Sequence, residues 1–94
     1  MNWLYSWYYN HCNGDWEHAN GIKIGTLDNP GWFIKISIED TELETKHFDF
    51  LKLDRTENDW YRCLLEDKTF KGFCGPFNLP ELLSIFRKWA EPNN

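Results

Sequence analysis

The sequence predicts an α+β fold: a single domain over residues 1–94, built as an antiparallel β-meander of about five strands with an N-terminal and a C-terminal helix packed on it. Three observations carry this reading. Apolar residues fall at helical spacing only near the two ends of the chain. Between them, short runs alternate apolar and polar side chains. Turn-forming clusters separate those runs at hairpin spacing.

Residues 2–12 read as the first helix, because Leu4, Trp7, Tyr8 and His11 fall at i, i+3, i+4 and i+7. Asn13-Gly14-Asp15 should stop it. Gly21 to Leu27 is the first strand, with Ile22 and Ile24 on one face. In Asp28-Asn29-Pro30-Gly31, Pro fixes its own φ and Gly is expected to supply a positive one, so a turn follows. Trp32, Ile34, Ile36 and Ile38 then alternate with Phe33, Lys35, Ser37 and Glu39, the pattern of a half-buried strand. After the polar turn Glu39-Asp40-Thr41, a third strand is expected over Lys46 to Asp54. Phe48 and Phe50 share one face there and Leu51 and Leu53 the other, which calls for a bulge or burial on both sides. Arg55 to Asn58 is a turn, Asp59 to Leu65 a fourth strand, Glu66-Asp67-Lys68 a turn, and Thr69 to Cys74 a fifth strand. Gly75-Pro76 ends the sheet.

The last helix has the clearest pattern. Leu79, Leu82, Leu83, Phe86 and Ala90 form its stripe, with Trp89 beside it. Asn78 is the expected N-cap and Glu81 its capping-box partner. Pro80 fits the first turn, Arg87 and Lys88 complement the helix dipole, and Pro92 ends the helix.

Charge is unevenly placed. The net charge is −5, and residues 39–67 hold ten acids against four bases. Phosphate binding needs clustered Lys and Arg, so this middle argues against direct nucleic-acid binding and for a basic partner drawn in by electrostatic steering. Six Trp, seven Phe and four Tyr are many rings for one small core. Some should therefore be exposed as contact anchors. Trp32, Trp60, Phe86 and Trp89 suit the core. Trp3, Tyr5, Tyr9 and Trp16 are less constrained.

Catalytic chemistry finds few parts. Three cysteines, Cys12, Cys63 and Cys74, without regular spacing are not a disulfide framework and fit reduced thiols in a cytoplasmic protein. Cys63 reads as a buried strand residue and Cys74 as part of a more open turn. Neither sits in the cationic loop or helix N-terminus that makes a thiolate. His11, Cys12, Asp15 and His18 match no common zinc spacing. The chain has no phosphate-binding glycine loop, so no metal or cofactor is expected. No basic, apolar leader opens at Met1, and no apolar run is long enough for a bilayer, so no membrane partner is expected. The paired acids Asp15/Glu17, Glu42/Glu44 and Glu57/Asp59 suit a contact surface or solvated faces better than the facing carboxylates of a glycosidase.

Asp15-Trp16-Glu17-His18, then Gly21-Ile22-Lys23-Ile24 and Thr26 to Trp32, resemble the bacterial immunity protein 53 family. So do Glu57-Asn58-Asp59-Trp60, Gly75-Pro76 with Asn78-Leu79, and Phe86-Arg87-Lys88-Trp89. These segments run in order along nearly the whole chain. The resemblance implies a small cytoplasmic antitoxin of a polymorphic-toxin system, a non-enzyme that binds and neutralises a toxin domain. Some members carry a sulfurtransferase label, but no Cys here opens a cradle loop in a strand-to-helix turn. The resemblance assigns no contact residues.

Acidity and exposure suggest the contact set: Asp15, Trp16, Glu17, Glu39, Asp40, Glu42, Glu44, Glu57 and Asp59. The expected partner is a cognate toxin domain, basic and of a class that includes nucleases, blocked by stoichiometric occlusion. Homo-oligomerisation stays open. The alternatives are a small thiol-dependent, sulfurtransferase-like enzyme using Cys74 or Cys63, and a small-molecule-binding domain lined by aromatics.

Overall fold

The computed structural model describes residues 2–91. Its order is α1 (Asn2–His11), α2 (Trp16–Ala19), β1 (Ile22–Leu27), β2 (Gly31–Ser37), β3 (Leu51–Thr56), β4 (Asp59–Glu66), β5 (Thr69–Cys74) and α3 (Leu79–Ala90). All five strands form one antiparallel sheet, flanked by helices from the two ends of the chain. The fold is α+β, as the alternation of strands and terminal helices predicts.

Across the sheet the order is β1-β2-β5-β4-β3. A hairpin, β1-β2, therefore sits beside a three-strand meander, β3-β4-β5, and the long link after β2 crosses to the far edge. The pairing of β2 with β5 places Ile34 opposite Gly72 and Ile36 opposite Phe70. This register puts Ile34, Ile36, Phe70, Cys63 and Cys74 on one face, where each is fully buried.

Both long helices cover that same face. α3 inserts Leu82 and Phe86, and Phe86 meets Phe70 at 5.1 Å between ring centroids. α1 reaches the core through Trp7, whose ring stands edge-on to Phe86 at 5.2 Å. Among the described residues, no helix lies on the opposite face of the sheet.

The third strand starts later than its pattern predicts, at Leu51. Phe48 is drawn inward, edge-on to both Phe70 and Trp89 at 5.3 Å. The neighbouring His47 carbonyl accepts the Trp89 indole N–H at 2.8 Å, and Lys46 Nζ donates to the Trp89 carbonyl. With its carbonyl held by that indole, His47 is drawn to α3 instead of into a ladder. Phe50, next along, is left 58% exposed. The irregularity expected here lies instead between Asp54 and Thr56.

Three further local expectations change. Gly31 does not take a positive φ; it is glycine because a Cβ would lie 2.3 Å from the Cys74 carbonyl oxygen. Trp60 faces the uncovered side of the sheet, opposite Asp54, and Tyr61 takes the core side. Asn78 precedes α3 but makes no side-chain cap to the helix backbone. Its amide joins Asp59 and Glu81, while its Oδ1 accepts from the Trp60 amide. Pro92, the expected helix stop, lies outside the described residues.

Candidate functional site

Between α1 and α2 lies Asn13, whose side-chain oxygen accepts the amides of Asp15 and Trp16, both at 2.9 Å. Gly14 takes φ 94°, in the region that glycine tolerates best. Glu17 folds back and accepts the amides of Asn13 and Gly14 at 2.9 and 2.8 Å. Bonds to backbone amides, first its own and then those of Asn13 and Gly14, hold its carboxyl below the usual Glu range. Glu17 is thus spent largely on shaping the loop. Asp15 stays exposed at the start of α2.

Trp16 corrects the expectation of exposure: only 4% of it reaches solvent. Its ring packs edge-on to Trp7 at 6.1 Å, and its indole N–H donates to the Glu39 carbonyl at 2.8 Å. A buried indole needs such a partner, and this one ties α2 to the turn after β2. A second tie lies beside it. His11 meets the Trp7 carbonyl through Nδ1 and the Glu42 carboxylate through Nε2, both at 2.7 Å. Each ring nitrogen of His11 thus faces an acceptor, one on its own helix and one 31 residues away.

Burial pushes the Glu42 carboxyl up, but the His11 hydrogen bond and its own backbone amide outweigh that and leave it lowered. The buried Trp7 indole N–H has no partner at hydrogen-bond distance among the described residues.

These ties bring Asp15 and Glu17 to the same end of the molecule as residues 39–44. Glu39 and Asp40 are exposed there, Asp40 at φ 59°. Glu44 and Glu39 approach Lys68 of the β4–β5 turn at 3.3 and 3.9 Å. That turn is tight, with Asp67 and Lys68 both at positive φ, as in a type I′ hairpin.

Glu57 and Asp59 belong elsewhere. They lie at the β3–β4 turn, and Asp59 is at the opposite end of β4 from Glu66, roughly 23 Å away at the usual strand rise. Asp59 is a structural acid. Arg55 donates to both its oxygens at 2.9 and 2.7 Å and also to Glu81 at 2.8 Å. The Arg55 bonds, then the Asn78 amide, hold the Asp59 carboxyl below its usual range. The network fastens the start of α3 to the β3–β4 hairpin. Of the nine contact candidates, the fold therefore gathers Asp15, Glu17, Glu39, Asp40, Glu42 and Glu44 at one end, buries Trp16 beneath them, and separates Glu57 and Asp59. Nothing local in the sequence marks this role of His11, because its partner Glu42 lies 31 residues on.

The aromatics and cysteines divide clearly. Tyr5, Tyr9, Phe50 and Phe77 are well exposed, whereas Trp3 is half-buried against Phe86 at 5.9 Å. Cys74 ends β5 and is fully buried, not in an open turn. Burial, then the nearness of Cys74, pushes the Cys63 thiol up to about 12, and burial raises Cys74 as well. Such thiols are poor sources of thiolate. Among the described residues, no group of three or more His, Cys, Asp or Glu is placed to hold a metal ion, and no helix is long and apolar enough to cross a membrane. A groove of about 830 Å³ is lined by Tyr5 and Tyr8 of α1, by Lys23 of the edge strand β1, and by Lys35 and Glu39.

Comparison with curated proteins and with solved structures found no match. The sequence profile of one family, immunity protein 53, matches residues 1–91. With the match covering nearly all of the 94 residues, the chain belongs to the immunity protein 53 family.

Proposed function

We propose that this immunity protein acts in the cytoplasm as the antitoxin of a polymorphic-toxin system and neutralises its toxin by stoichiometric occlusion through the acid-rich end. The supporting observation is the pair of ties, Trp16 to Glu39 and His11 to Glu42, that hold two acidic segments distant in sequence side by side. The fitting partner surface is a basic cleft such as a nuclease uses for phosphate. Carboxylates spaced along Glu39, Asp40 and Asp15 would stand where phosphates otherwise lie. Complementary charge of this kind speeds association and weakens with salt.

Co-expression tests the reading. The toxin domain encoded beside this gene is expressed with the wild-type chain or with the triple variant Asp15→Asn, Glu39→Gln, Asp40→Asn. All three side chains are exposed, and Asn tolerates the left-handed backbone at position 40. Wild type should protect the cells, and the triple variant should protect them less. No protection by the wild-type chain would overturn the immunity reading for that toxin. Equal protection by both would overturn the acidic contact.

A further inference from the structure

The uncovered face of the sheet bears a charge opposite to that of the molecule as a whole. The registers place Lys23, Lys35 and Lys71 in one row across β1, β2 and β5. Two residues along, Phe33, Phe73 and Arg62 form a second row across β2, β5 and β4. Lys52 extends that row onto β3. The face thus holds five cations against two carboxylates, Asp54 and Glu66, on a chain of net charge −5.

Three of the cations already hold those carboxylates: Lys71 meets Glu66 at 2.6 Å, and Arg62 and Lys52 meet Asp54 at 3.5 and 3.7 Å. Lys23 and Lys35 are exposed and make no ion pair among the described residues. Lys35 leans on the Phe33 ring, 5.7 Å from its centroid. Phe33 in turn lies across Gly25, where a Cβ would be 2.4 Å from its ring. An aromatic lying over a glycine, beside two lysines without carboxylate partners, makes a surface that is both apolar and cationic.

We infer that this face is a second binding surface, for an acidic polypeptide segment with apolar side chains. The two rows lie about 6.6 Å apart along the strands, the spacing of residues i and i+2 on one side of an extended chain. A segment with a carboxylate at i and an apolar side chain at i+2 fits them. Polyanion affinity grows with the number of cations free to neutralise phosphates, and two uncommitted lysines on a net-negative chain favour a protein segment over nucleic acid. This inference does not depend on the toxin reading, and its test uses no toxin.

The probe is a fluorescein-labelled peptide repeating Glu-Ser-Leu-Ser, titrated by anisotropy against the full chain. Peptides repeating Lys-Ser-Leu-Ser and a single-stranded oligothymidylate serve as comparisons. The Glu peptide should bind, more weakly as salt rises. Lys23→Glu with Lys35→Glu should weaken it about tenfold, and Lys23→Gln with Lys35→Gln by less. Far-UV circular dichroism checks that these surface variants fold. The triple variant of the acidic end should bind the peptide as wild type does. Absent binding, equal binding by the reversed-charge variant, or tighter binding of oligothymidylate would each overturn the inference.

Discussion

Leu82 of α3 sits directly above Gly72 of β5, so close that a Cβ on residue 72 would lie 2.8 Å from Leu82 Cδ1. Gly72 is buried and pairs with Ile34 and Cys63 on its two sides. The missing side chain is what lets the last helix descend onto the middle of the sheet. Gly72→Ala should therefore destabilise the fold by about 1–3 kcal/mol, the usual cost of overpacking. Urea unfolding checks the value. Adding Leu82→Ala should give a double variant less unstable than the sum of the single changes, because the clash then has room to relax.

Trp16 makes a second separable contribution. Trp16→Phe keeps most of the ring but removes the donor to the Glu39 carbonyl. Losing that bond should cost about 1 kcal/mol, the usual net worth of one hydrogen bond. Hydrogen exchange should also quicken at the Thr41 and Glu44 amides, which close the adjoining turns onto Ile38 and Thr41. Unchanged exchange there would mean that the indole does not hold the acidic turn.

The Arg55–Asp59 pair predicts a pH dependence of definite sign. The Asp59 carboxyl is depressed in the folded chain, by Arg55 first and Asn78 second. Its contribution is present above the unfolded value of about 3.9 and is lost as pH falls through the lower folded value. Asp59→Asn should lower the thermal midpoint at neutral pH, and the gap from wild type should close below about pH 4. A gap that stays constant across that range would assign the effect to packing instead.

Thiol chemistry gives a further check. Cys63 and Cys74 are buried with raised thiols, and Cys12 is half-buried near the surface. Iodoacetamide should modify Cys12 alone in the native protein, and all three in denaturant, as read by mass spectrometry. Alanine at all three positions should leave toxin protection intact, whereas a thiol enzyme would lose its activity.

How far the sequence discloses this molecule depends on whether a signal is local. The strands and terminal helices show because Ile34, Ile36 and Ile38, or Leu82 and Phe86, repeat at their own period. The strand order does not show, since the pairing of β2 with β5 joins residues far apart in sequence. The same holds within the site. Asp15 and Glu39 stand out as acids, but their convergence depends on an indole-to-carbonyl bond spanning 23 residues. Trp16 reads as exposed because a tryptophan in a polar stretch carries no periodic mark of burial. Lys23, Lys35 and Lys71 each look like an ordinary outward-facing strand residue, and only the register shows them as one row.

The most direct measurement is the association rate of this protein with its toxin domain, followed by stopped flow at low and at high salt. The wild-type rate should fall steeply as salt rises. The Asp15→Asn, Glu39→Gln, Asp40→Asn variant should associate more slowly at low salt and depend less on salt. A wild-type rate unchanged between the two conditions, or a variant indistinguishable from wild type, would contradict the acid-rich end as the toxin-facing surface.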